Sequence, residues 1–183
     1  MQVLSTPAGG GLSVTKREDI EWSNIWVSGA NATGLPRALL VGDSIAQSYF
    51  DEVEKALKGR FLCARLATSR SICDPSFRKE LRILVDDYAF AVIHFNNGLH
   101  GWDYSEASYA RALPRVAKLI RERAAGCRLV LAATTPVRRS VNLAEVDERT
   151  VRVRARNGIL STFAAANGLP VNDLFEVVKD RPD

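Results

Sequence analysis

Five short apolar runs, each separated from the next by a stretch of helical periodicity, constrain this chain more than any other feature. They fall at 38–41, 61–66, 90–95, 128–133 and 169–171. Almost no polar residue interrupts them, which is how a strand covered on both faces reads. Between the first two, Ile45, Tyr49, Val53, Ala56 and Leu57 recur at helical spacing, and Gly59 marks a stop. A helix is predicted over 77–87. A longer one is predicted through Tyr109, Leu113, Val116 and Ile120, opened by Asp103 and Glu106 at capping-box spacing and ended by Gly126. A fourth is predicted over 143–166 and stops at Asn167-Gly168.

This alternation predicts a three-layer α/β/α domain. Its five-stranded parallel sheet has flavodoxin-like order and right-handed crossovers. Residues 1–36 read as an irregular lead-in, loose around Gly9 to Gly11, with Trp22 and Trp26 packing on the domain; residues 37–183 form one domain. Hydrophobic residues at 46% and charged residues at 25% suit a soluble fold with a real core.

Several function classes lose support. No run of 18 apolar residues is present, so no membrane partner is expected. No basic stretch precedes an apolar core at the N-terminus, which points to a cytoplasmic protein. Cys63, Cys73 and Cys127 are odd in number and form no CxxC pair; they read as small apolar thiols, not as zinc ligands or a disulfide scaffold. No metal or organic cofactor is implied. The net charge of +4 comes largely from arginines between 138 and 156. Val151, Ala155 and Ile159 fall at helical spacing, and Arg149, Arg152 and Arg156 fall on another face, with Asp147 and Glu148 nearby. That pattern reads as a solvated amphipathic helix, and no nucleic-acid partner is expected.

Doubly covered parallel sheets place their working groups at the C-terminal ends of strands. Those ends carry Ser44, the 68–71 loop, Asn96-Asn97, Thr134-Thr135 and Asn172-Asp173. Small polar groups therefore converge at every one. Ser44 follows Gly42-Asp43 at a sharp strand-to-helix turn, where it could supply both a hydroxyl nucleophile and an oxyanion N–H; the simpler reading makes Asp43 or Ser44 the helix cap. Asn96 and Asn97 bring neutral amide donors, or else shape the turn before Gly98. His94 reads as a core histidine. His100 lies beyond the strand and can face the crevice.

At this point the residues carry a family resemblance. The run Leu39-Leu40-Val41-Gly42-Asp43-Ser44 resembles the first conserved block of the SGNH, or GDSL-like, hydrolases. The stretch 92–101, V-I-H-F-N-N-G-L-H-G, resembles a variant of their Gly-x-Asn-Asp block. The likeness runs from about Leu39 to Leu174 and includes Thr135-Pro136 and Asn172-Asp173-Leu174. It implies a serine esterase acting on small-molecule esters, acetylated carbohydrates among them, with Ser44 as nucleophile. It assigns the oxyanion amide to Asn97, with Asn96 as the neighbouring alternative. A backbone N–H of the 68–71 loop, Ser71 among the candidates, would stand where the family offers a glycine. The family also places an Asp-x-x-His after the fifth strand, whereas this sequence shows no histidine beyond His100. The expectation is therefore either an esterase whose base segment is missing or an inactive ligand-binding domain of the same fold, with His100 as a less direct substitute base. A missing terminal helix would leave apolar sheet surface exposed and favour a homodimer.

Overall fold

The computed structural model describes residues 15–181, so the Gly9 to Gly11 stretch lies outside the described residues. The central sheet has six strands. β1 (Ser23–Val27) forms one edge. β2 (Arg37–Gly42), β3 (Leu62–Thr68), β4 (Val92–Phe95) and β5 (Arg128–Ala132) form the body. A two-stranded hairpin follows, β6 (Arg138–Arg139) and β7 (Asn142–Val146), and then β8 (Val171–Asn172) closes the far edge. The order is β1-β3-β2-β4-β5-β8, and every pair from β3 to β8 is parallel. The five predicted strands thus stand in the predicted flavodoxin-like order.

Burial explains the order. All six residues of β2 are buried, as the strand flanked by β3 and β4 must be. Leu39, Val41, Ala64, Leu66, Ile93, Phe95, Leu129 and Leu131 alternate onto one sheet face. There they meet α2 (Pro75–Asp87), α3 (Glu106–Arg123) and α4 (Thr150–Ala166) in the main core. On the opposite face Leu40 and Cys63 pack against Phe50 of α1 (Ser44–Leu57). Beside α1 that second face carries an open apolar groove of about 610 Å³, lined by Leu40, Tyr49, Val53, Leu57, Val92 and Leu174. Cys63 is buried, Cys73 and Cys127 half-buried, and all three are free thiols.

Three expectations need correction. The lead-in is not irregular throughout: β1 pairs antiparallel with β3 from Ser23↔Thr68 to Val27↔Ala64. An edge strand with one side in water needs little apolar content, and Ile25 and Trp26 remain exposed, which hides it from a periodicity reading. The fourth helix begins at Thr150, not near 143, because Asn142–Val146 folds back on Arg138–Arg139 as a hairpin. Leu143 and Val146 have helical spacing but are solvent-exposed, so no packing enforces a helix there. The cap of α3 is Ser105, whose hydroxyl accepts from Ser108 N–H, and Glu106 is used elsewhere.

The turn after β2 depends on a glycine. A Cβ on Gly42 would lie 2.4 Å from the Ala46 Cβ, so any larger residue forces α1 away from the strand. Gly42→Val should therefore destabilise the protein by about 1–3 kcal/mol or more, read by urea unfolding. A change near zero would mean that this close approach is not a constraint.

Candidate active site at the C-terminal edge of the sheet

Asp43 and Ser44 divide the work of the β2–α1 turn. Asp43 is the N-cap: its Oδ1 accepts from Ile45 N–H at 2.9 Å, and its carbonyl accepts from Gln47 N–H. Ser44 is therefore not the cap. It is exposed as the first residue of α1, where backbone N–H groups have no helical partner, and its hydroxyl makes no hydrogen bond among the described residues. The helix dipole adds partial positive charge at this point. Asp43 itself is only 2% exposed, and its Oδ2 has no protein partner. Burial pushes its carboxyl above the ordinary range, and its hydrogen bonds and the nearby His100 pull partly back.

The 68–71 loop narrows to one candidate donor. Ser69 N–H goes to the Trp22 carbonyl at 3.1 Å, and Arg70 N–H goes to Thr68 Oγ1 at 3.2 Å. Ser71 N–H is left without a partner among the described residues, while Ser71 Oγ accepts from Cys73 N–H. Gly101 packs directly on Ser71, since a Cβ there would meet Ser71 Cβ at 2.4 Å.

Both asparagines are buried and bonded. Asn97 Oδ1 accepts from Ile72 N–H at 3.0 Å, and its Nδ2 donates to the Arg70 carbonyl at 2.9 Å, so the residue ties the end of β4 to the 68–71 loop. Its own carbonyl accepts from Tyr109 Oη. One of its two amide hydrogens is thus committed to structure. Asn96 directs Nδ2 to the Ala132 carbonyl and to Thr134 Oγ1. Thr134 is in turn gripped by Asn157, which accepts from its N–H and donates to its carbonyl.

His100 is held on three sides. Its Nδ1 lies 3.0 Å from Glu18 Oε2, and Glu18 Oε1 also accepts from Gly101 N–H. Trp22 stands edge-on to the ring, with centroids 6.2 Å apart. His100 Nε2 is covered from solvent and has no protein partner. Ser44 and His100 line the same open groove of about 760 Å³, together with Trp22, Asn24, Gln47 and Asp51. His94 lies away from it, half-buried in the apolar groove, its Nε2 3.1 Å from Asn172 Nδ2; burial lowers its pKa.

The arginine-rich helix is not a solvated charge face. Val151 is 73% exposed, whereas Arg156 is 1% exposed. The buried guanidinium donates to the carbonyls of Gly98, His100 and Gly101 at 2.7–3.0 Å. Arg152 adds bonds to the carbonyls of Trp102 and Tyr104 and an ion pair with Glu106. The 98–104 loop that carries His100 is thus clamped from α4. Sequence periodicity missed this because a buried arginine and an exposed valine invert the usual assignment of faces. Glu18 was missed because nothing in the lead-in marks it.

Among the described residues, no helix is long and apolar enough to cross a membrane, and no group of three or more His, Cys, Asp or Glu is placed to hold a metal ion.

The architecture has counterparts among solved structures. An acetyl xylan esterase superposes with a TM-score of 0.60 at 15% identity, over 77% of this chain and 78% of the other. A GDSL-like lipase from Bacteroides thetaiotaomicron superposes at 0.57, with 14% identity over 77% and 69%. A lipase/acylhydrolase from Enterococcus faecalis gives 0.54, with 20% identity over 79% and 78%. No family model matches the sequence, and a search of curated proteins gives no match. At these identities the likeness speaks for the fold alone: the chain has the α/β architecture that these esterases and lipases share.

Two predictions follow from the site's electrostatics. Arg156→Met should cost about 3–5 kcal/mol, because it strands buried carbonyls and removes the clamp. Arg149→Met, at an exposed Asp147 pair, should cost about 1 kcal/mol or less. Denaturant unfolding separates them, and equal small effects would contradict the clamp. For Asp43 the folded carboxyl binds its proton more tightly than the unfolded one, so its contribution to stability falls as pH rises from about the ordinary 3.8 through the raised folded value. Asp43→Asn keeps a capping side chain and removes that loss. The stability difference, variant minus wild type, should rise from pH 3 toward pH 7; a flat difference would show that Asp43 is not held above its ordinary range.

Proposed function

We propose that this protein is a serine ester hydrolase that removes small acyl groups from hydroxyl-rich alcohols, with Ser44 as the nucleophile. The observation that carries the reading is the state of Ser44 at the C-terminal edge of the sheet. It is exposed at a helix N-terminus, and the cap that a serine would ordinarily provide is provided by Asp43. A hydroxyl so placed is free for chemistry, and its own N–H is free to stabilise developing negative charge.

In this mechanism Ser44 Oγ attacks the ester carbonyl, and the tetrahedral oxyanion takes donors from Ser44 N–H, Ser71 N–H and the uncommitted Asn97 amide hydrogen. One such donor is worth roughly 3–4 kcal/mol in the transition state. Collapse releases the alcohol and leaves an acyl-enzyme, which water then cleaves. The groove around Ser44 supports an alcohol rich in hydroxyls: Asn24, Gln47 and Asp51 offer hydrogen bonds, and Trp22 offers an aromatic edge. Among the structures of the same fold, one is an acetyl xylan esterase, which agrees with acetylated carbohydrate as the first substrate to try.

The test is hydrolysis of p-nitrophenyl acetate, followed as burst and steady state beside Ser44→Ala. The expected result is a burst in the wild type that the variant lacks, with steady turnover reduced by about a thousandfold or more. Equal rates in the two proteins would overturn the reading.

A further inference from the structure

The Glu18–His100 pair has the carboxylate–imidazole arrangement of a catalytic dyad. We propose that His100 is the general base for Ser44 and that Glu18 is the carboxylate that orients it. The inference rests on Ser44 being the nucleophile and goes beyond it by naming the group that takes the proton.

The argument begins with hydrogen-bond chemistry. A carboxylate only accepts, so Glu18 at 3.0 Å from Nδ1 requires that Nδ1 carry the hydrogen. The lone pair of the neutral ring is then on Nε2, which makes no hydrogen bond and is covered from solvent. A base needs this tautomer, and a third group must enforce it. Glu18 is itself fixed, because Gly101 N–H donates to its other oxygen at 3.0 Å. The His100 carbonyl is fixed by Arg156, and Trp22 stands against the imidazole edge. A histidine that merely filled space would not need its backbone, its ring and its orienting carboxylate each held by a separate element.

Placement agrees. Ser44 and His100 line one groove, Ser44 from α1 and His100 from the loop after β4. The charged groups facing the ring are Glu18 from the lead-in and Asp43 from the β2–α1 turn, both acidic. Each favours the imidazolium that forms when the proton arrives. No hydrogen bond joins His100 to Ser44, and Nε2 is covered from solvent, so the transfer requires the two side chains to come together as substrate binds.

The proton balance is simple. Nε2 takes the Ser44 Oγ proton as the Oγ–C bond forms and the carbonyl π pair moves to oxygen. On collapse the C–O bond to the alcohol breaks, and Nε2–H protonates the leaving alkoxide. Water then adds to the acyl-enzyme, gives its proton to Nε2, and Ser44 recovers it as the acid departs.

The experiment compares wild type, His100→Ala, Glu18→Gln and Ser44→Ala in burst and turnover of p-nitrophenyl acetate, with and without added imidazole, after circular dichroism has matched their folds. Expected is a fall of about 10²–10⁴-fold for His100→Ala, with partial rescue by imidazole that the Ser44→Ala/His100→Ala double variant does not show. Glu18→Gln should also fall, since a glutamine amide can donate to Nδ1 and favour the wrong tautomer, and imidazole should not rescue it. A His100→Ala protein that keeps the wild-type rate while Ser44→Ala is dead would overturn this proposal and leave the serine reading intact. Identical rates in wild type and Ser44→Ala, with no fluorophosphonate adduct on Ser44 by mass spectrometry, would overturn both. If His100→Ala does not fold, His100→Gln serves in its place: its amide is no base, so wild-type turnover in it would equally refute the role.

Discussion

The site end of this molecule depends on a buried charge that cannot be switched off. A guanidinium keeps its proton in any protein environment, so Arg156, once buried, must find acceptors for its donors. It finds them in the carbonyls of Gly98, His100 and Gly101, where no regular element satisfies the backbone. The exchange is mutual: the loop gains partners for carbonyls that would otherwise be stranded, and the arginine gains acceptors for its two terminal nitrogens, while its Nε lies 3.6 Å from Glu106 Oε1 without a hydrogen bond. Arg37 does the same at the opposite, N-terminal end of the sheet, donating to the carbonyls of Ser28, Gly29, Ala30 and Ala32 and so fastening the turn after β1.

Fastened loops matter because the reactive geometry must be set before substrate arrives. Donors that already point at the developing charge need not reorganise during the reaction. The sheet supplies rigidity at β2, whose six residues are all buried, and Gly42 lets α1 start close against it. Asp43 then frees Ser44 by taking over the cap. The burial of Asp43 carries a cost, seen in its raised pKa, and such cost is often retained where a turn serves chemistry.

The parallel body of the fold was legible because its signal is redundant. Five apolar runs, helical periodicity between them and glycine stops all specify one architecture. The strand-end polar residues were legible for the same reason, since their place follows once the strands are placed. What escaped notice depends on contacts between distant segments. β1 is half exposed, and its pairing with β3 is invisible without the partner. The β6–β7 hairpin carries Leu143 and Val146 at helical spacing by coincidence. Arg156 looked like surface charge because sequence cannot reveal that 98–104 presents bare carbonyls to that side of α4. Glu18 meets a histidine 82 residues away, and no local pattern announces it. The roles read for Asn96 and Asn97 were only half legible: their position at the end of β4 was, but their commitments to Arg70, Ile72, Ala132 and Thr134 were not.

The most direct measurement traps the covalent intermediate. The wild-type protein is mixed with p-nitrophenyl acetate, quenched in acid during the burst, digested and mapped by mass spectrometry. The account predicts acetyl on the peptide that contains Ser44, at Ser44 itself, decaying with the steady-state turnover. Acetyl on His100 or on surface lysines, with none on Ser44, would contradict it.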